Sequence, residues 1–251
     1  MKKFFLAVIA LLMTAGLSAQ FYIYLSDGNV LKADSISLVA PVEPEYVQPI
    51  HVDDNSLADW DNIPQDKIAS ATCPADAALI GLKSVKVYAD KFYINVLVEI
   101  DMDEIPDHNL VPFHVFINTD NSDQTGGYAD MFADANTDII MEGFFFSEEG
   151  EACAYEPWVF AWIGEVGGEG WAWEELTAGD FCKSQYVGNF VEIQMLRELI
   201  PTNAGWNEDE FGIGFDIEQN WSSVGILPQN TKTEEDIWIG KAHKLQVKID
   251  K

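Results

Sequence analysis

From residue 51 onward the chain alternates between apolar and polar positions. Phe92, Ile94, Val96, Val98 and Ile100 are apolar at every second place, with Tyr93, Asn95, Leu97 and Glu99 between them. That is the period of a strand with one buried face. Phe113, Val115 and Ile117 repeat it, as do Val191, Ile193 and Met195, then Phe211, Ile213, Phe215 and Ile217. Leu245, Val247 and Ile249 predict a terminal strand, and clusters of Gly, Pro, Asn and Asp punctuate the runs. Many strands with turn-rich gaps predict an all-β fold, an antiparallel β-sandwich of jelly-roll-like form over residues 50–251. One short helix is predicted at residues 195–200, stopped by Pro201.

The N-terminal fifth reads differently. Phe21-Tyr22-Ile23-Tyr24-Leu25 is rich in β-formers, Asp27-Gly28-Asn29 is a turn signal, and Val30 begins a second run. This predicts a small hairpin over residues 21–40, followed by a proline-containing linker to residue 49. Ahead of it, Met1-Lys2-Lys3 is basic, residues 4–12 are an unbroken apolar run, and Ala15, Gly16, Ser18 and Ala19 are small. That is the layout of a secretory signal peptide over residues 1–20, so a secreted (periplasmic or extracellular) chain is expected. The run is short for a membrane span, and no membrane insertion is expected after cleavage.

Charge narrows the partners. The chain has 14 Lys+Arg against 42 Asp+Glu, a formal charge of −28. Removing residues 1–20 takes two lysines and no acid, leaving 12 − 42 = −30. Phosphate recognition needs clustered Lys and Arg, so a nucleic-acid partner is not expected, nor is docking on an anionic bilayer. With 48% apolar and 12% aromatic residues the chain can fill a core, unlike a disordered acidic tail. The cysteines, Cys73, Cys153 and Cys182, contain no CxxC pair and predict no zinc-finger-type site. They leave two readings open, a Cys153–Cys182 disulfide or three free thiols.

Several motifs, in their order, resemble family 9 carbohydrate-binding modules and the broader DOMON-like β-sandwiches. His51-Val52-Asp53-Asp54-Asn55 with Leu57-Ala58-Asp59-Trp60 resembles the opening of that family. Val85-Lys86-Val87-Tyr88-Ala89-Asp90 with Phe92-Tyr93-Ile94 resembles its strand–turn–strand. Phe113-His114-Val115-Phe116-Ile117-Asn118-Thr119-Asp120 with Thr125-Gly126-Gly127 resembles its strand and acidic loop, with Asn118 where the family has Asp. Residues 138–143 and Val191-Glu192-Ile193 resemble later strands. The lead-in at 21–40 resembles hairpins of secreted Bacteroidetes-type proteins. The resemblance implies a secreted, non-catalytic carbohydrate-binding protein, with Trp60 in the core.

Four candidate sites follow. Asn118, Asp120, Ser122, Asp123 and Asp130 offer oxygens around a tight loop, as calcium requires; Asp134 and Asp138 could complete the shell. The alternative is an acidic turn whose side chains cap their own backbone. Trp158, Trp162, Trp171 and Trp173 crowd residues 158–173 among glycines, and indole faces pack on pyranose C–H faces. Trp171 and Trp173, two apart, are expected on one strand face, with Glu165, Glu169, Glu174 and Glu175 to accept hydroxyls. The alternative is that these indoles fill the core. Glu142 and Glu192, in strand-like segments, are the candidates for a carboxylate pair, against the plainer reading of surface acids. His114, out of phase with its apolar strand, and Met131 are candidates for haem ligation, against an ordinary strand histidine. The sum is a neutral-glycan-binding protein with a possible structural calcium ion and no catalysis; the competing reading is a structural or adhesive surface protein. Exposure of the four indoles separates the two.

Overall fold

The computed structural model describes residues 21–24, 30–33, 46–74, 81–105, 107–129, 131–229 and 241–251. The signal-peptide segment, residues 1–20, lies outside the described residues. The chain divides into two units, Met1–Val47 and Gln48–Lys251. In the first, β1 (Phe21–Tyr24) pairs antiparallel with β2 (Val30–Ala33), in the register Phe21 opposite Ala33 and Tyr24 opposite Val30.

The second unit is all-β. Its strands are β3 (Ala69–Thr72), β4 (Leu82–Asp90), β5 (Tyr93–Ile100), β6 (Pro112–Asn118), β7 (Ile139–Phe144), β8 (Trp158–Trp162), β9 (Trp173–Leu176), β10 (Cys182–Val187), β11 (Phe190–Leu196), β12 (Glu210–Gln219), β13 (Ser222–Leu227) and β14 (Leu245–Asp250). They form one curled mixed sheet in the order β10-β11-β5-β4-β14-β12-β6-β7-β8-β9, with β13 beside β12 and β3 beside β4. The expectation of purely antiparallel pairing needs correction at one place. Strand β14 runs antiparallel to β12 but parallel to β4, and so joins two arms that would otherwise be separate sheets. A C-terminal strand can do this because no short hairpin has to connect it to its neighbours.

The alternation seen in the sequence points into one core. Val87, Ile94, Val96 and Ile193 from one arm pack in the same cluster as Phe113, Val115, Met141 and Phe215 from the other. Polar residues were expected on the opposite faces, yet these too are largely covered. On the β5–β11 arm, Ile50, Trp60 and Ile63 of the segment before β3 close over Tyr88 and Leu97. On the β6–β7 arm, the loop between them sends Phe132 over Phe116 and Ile140. Gly214 on β12 makes room for that ring, because a Cβ there would sit 2.3 Å from Phe132 Cζ.

The expected helix at 195–200 is instead the end of β11 followed by a 3-10 turn, Arg197–Leu199. Six residues are too few to repay helix nucleation, and Pro201 forces Ile200 into an extended conformation. Cys153 and Cys182 are free thiols, so the disulfide between them, one of the two readings, is not formed. Burial pushes the Cys182 thiol up to about 12, with Glu156 and Asp180 adding to it. At neutral pH Cys182 therefore holds almost no thiolate, the reactive form. Native protein is expected to resist iodoacetamide at Cys182 and to react fully in urea, as read by peptide mass spectrometry. Reductant is expected to leave the melting temperature unchanged.

Candidate functional site

The outward residues of the β12–β8 arm line up across the strands. Register pairs Asp216 with His114, His114 with Glu142, and Glu142 with Trp158. One row thus crosses four strands as acid, imidazole, acid and indole, because each strand alternates and all four are paired in phase. His114 Nε2 lies 2.9 Å from Glu142 Oε2, and its Nδ1 lies 3.9 Å from Asp216 Oδ2. The Ser223 hydroxyl donates to Asp216 Oδ1. Two residues beyond Asp216, where a bulge interrupts the β12–β13 register, Glu218 joins the group. Ligand atoms of His114, Asp216 and Glu218 lie within 4.8 Å of one another. Burial pushes the Asp216 carboxyl up to about 7, opposed by the Ser223 hydrogen bond and by His114.

Beside this row runs an aromatic strip. Phe144, at the end of β7, meets Trp158 edge-on at 6.1 Å and Trp221 edge-on at 6.5 Å. Phe160, two residues along β8 from Trp158 and therefore on the same face, meets Trp171 edge-on at 6.1 Å. Trp158, Trp171 and Trp221 are 50%, 74% and 54% exposed. Trp221 sits in the turn between β12 and β13 with φ at 62°, a conformation that is costly for a bulky side chain. Glu142 lies opposite Trp158 and Glu175 opposite Phe160, so carboxylates border the strip.

The four indoles singled out in the sequence are split. Trp158 and Trp171 stand on the strip. Trp162 and Trp173 are 8% and 9% exposed and pack edge-on at 4.9 Å under the loop after β6. Trp162 is tightly cradled: a Cβ on Gly127 would fall 2.4 Å from its ring, and its Nε1 donates to the Glu165 carbonyl at 3.0 Å. Trp171 and Trp173 do not share a strand face, because β9 begins only at Trp173. Trp60 is buried, and Trp206 packs half-buried, edge-on against Phe211.

The acidic loop turns its oxygens onto itself. Asp120 accepts from the Ser122 N–H at 3.0 Å and from the Thr125 hydroxyl at 3.0 Å to each oxygen. Asn118 is bonded in both directions to the Ser122 backbone. Gln124 donates to Asp123 at 2.6 Å and to the Ser122 hydroxyl at 3.0 Å. Asp130 lies outside the described residues. Asp134 is held by Lys244, and Asp138 by the Thr119 N–H. Among the described residues the side-chain oxygens of this loop thus accept hydrogen bonds from within the loop itself.

Glu142 and Glu192 stand on different arms of the sheet and form no pair. Glu192 is wholly buried, where a surface acid was the plainer expectation. His114 turns its ring nitrogens toward carboxylates, while Met131 packs with Phe116 and Phe132. Sequence reasoning missed Asp216, Glu218, Phe144 and Phe160, and left Trp221, which flanks a strand, open between core and site. Asp216 and His114 both stand out of phase in apolar strands, which is the available signal; their adjacency depends on cross-strand register. The chain matches no protein-family model, no curated protein and no solved structure.

Proposed function

We propose that this is an exported, non-catalytic β-sandwich protein, related in kind to the carbohydrate-binding modules its motifs resemble, that holds neutral glycans on the strip of Trp221, Phe144, Trp158, Phe160 and Trp171. The observation that carries this reading is three indoles at least half exposed on one contiguous aromatic surface, one of them in a strained turn. Large apolar side chains left in water mark a contact surface. Indole faces suit pyranose C–H faces, and the bordering carboxylates suit hydroxyls. A charge of −28 disfavours acidic polysaccharides and leaves neutral ones.

Affinity gels loaded with neutral polysaccharides, run with calcium and with chelator, test this. Trp158→Ala and Trp221→Ala are each expected to weaken retention about tenfold, the value of roughly 1.4 kcal/mol of stacking, with melting temperatures near wild type. Retention unaltered by either substitution, or no retention on any neutral glycan, removes the reading and favours a structural or adhesive surface protein. Calcium dependence is the arm that tests an ion in the loop after β6.

A further inference from the structure

Two buried polar atoms face each other between His114 and Asp216 with no partner among the described residues. Glu142 Oε2 lies within hydrogen-bonding distance of His114 Nε2, and with the ring proton there Nδ1 would present a lone pair. Ser223 occupies Asp216 Oδ1. What remains is Nδ1 facing Oδ2 across 3.9 Å, both atoms buried and neither with a hydrogen-bond partner. The side chains are 8% and 0% exposed. At that separation no hydrogen bond joins them. Glu218 directs a third ligand atom to the same place.

We propose that His114 Nδ1, Asp216 Oδ2 and the Glu218 carboxylate bind a divalent transition-metal ion of the zinc class. An imidazole with two carboxylates suits zinc, with bonds of about 2.0–2.2 Å that bring tetrahedral ligands about 3.4 Å apart. The 3.9 Å gap is thus about half an ångström from a bound geometry. Calcium, which takes six to eight oxygens, is poorly served by a site with one nitrogen and few ligands. Glu142 and Ser223 are positioning residues. Each holds the far atom of a ligand, as partners of metal-bound histidines and carboxylates do. A bound ion ties β6 to β12 in the row that ends at Trp158. This inference does not rest on the glycan reading.

The full chain, freed of metal with chelator and then dialysed, is titrated with Zn²⁺ by calorimetry in excess Ca²⁺ and Mg²⁺, which cover the surface carboxylates. One tight equivalent is expected, with a raised melting temperature. Co²⁺ is expected to give visible absorption of a site with few ligands. His114→Gln and Asp216→Asn each weaken the tight equivalent by roughly 100-fold or more, and Glu142→Gln by roughly 10–100-fold. Glu218→Gln, at a half-buried position, supplies the folded variant where the two buried substitutions prevent folding, and is expected to lose at least roughly tenfold. Absence of a tight equivalent in the wild type overturns the proposal. So does a tight equivalent that survives unchanged in folded Asp216→Asn or Glu218→Gln.

Discussion

Lys244→Met is expected to destabilise the second unit by about 3–5 kcal/mol, the cost of leaving one member of a buried ion pair alone. The Lys244 side chain is fully buried, just ahead of β14, and its Nζ lies 2.6 Å from Asp134 Oδ2 and 3.2 Å from Asn136 Oδ1. It also stands over the Phe132 ring at 5.4 Å. Burial pulls the ammonium below its usual range, while Asp134 and Asp138 push it back up. Methionine keeps the volume but removes the buried charge that faces Asp134. The same loop carries Phe132, so its cap over Gly214 and Phe116 is expected to loosen with it. Urea denaturation measures the loss. Lys244→Met combined with Asp134→Leu is expected to recover most of it, because an apolar pair can replace a buried ion pair at little cost. If the single variant unfolds at the wild-type urea concentration, the pair is not what anchors this loop.

Glu192→Ala is expected to cost about 3 kcal/mol at neutral pH, from two donors left unpaired and a cavity. Glu192 projects from β11 beneath the segment before β3. Its Oε1 accepts the Trp60 indole N–H at 2.6 Å, and its Oε2 accepts from Gln185 Nε2 at 2.5 Å. Gln185 Oε1 in turn accepts the backbone N–H groups of Asp53 and Asn55. One carboxylate therefore pins both the indole and the turn of residues 48–68. Hydrogen exchange and limited proteolysis are expected to reveal that segment opening first in the variant. Glu192→Gln loses about half as much, since one acceptor survives. Burial raises the Glu192 carboxyl, more than the Gln185 and Trp60 hydrogen bonds lower it. A proton held longer in the fold than in the open chain adds stability below the ordinary value of 4.5. That share is lost as pH rises through the folded value. The gap between wild type and Glu192→Ala is therefore expected to narrow from acid toward neutral pH. A gap that widens instead would mean that the Trp60 and Gln185 donors outweigh burial and hold the carboxyl ionised in the fold.

These two residues also mark where sequence reading stops. Glu192 sits in a strand whose apolar phase is Val191, Ile193 and Met195, so its outward direction was legible. Its burial was not, because the cover comes from residues more than a hundred positions away. Lys244 precedes an exposed-looking terminal strand and gave no sign of being a core counter-ion. Trp162 and Trp173 looked the same in sequence as Trp158 and Trp171, since neither composition nor spacing tells a covered outer face from an open one. Trp221 belonged to no cluster in sequence and reached the strip only through the β12–β13 turn.

What the amino-acid order determined by itself is the local part: strands of period two, the residues each turns inward, and the turns between them. Side-chain alternation and turn chemistry are properties of neighbours in the chain, so they need no fold to be read. Tertiary structure alone decided the rest. Strand register set Asp216, His114, Glu142 and Trp158 in one row, and β14 joined the two arms. Two covering segments chose which indoles meet water. Such pairings bring together residues distant in the chain, and their free energy lies in burial and hydrogen bonding that exist only once the sheet has curled.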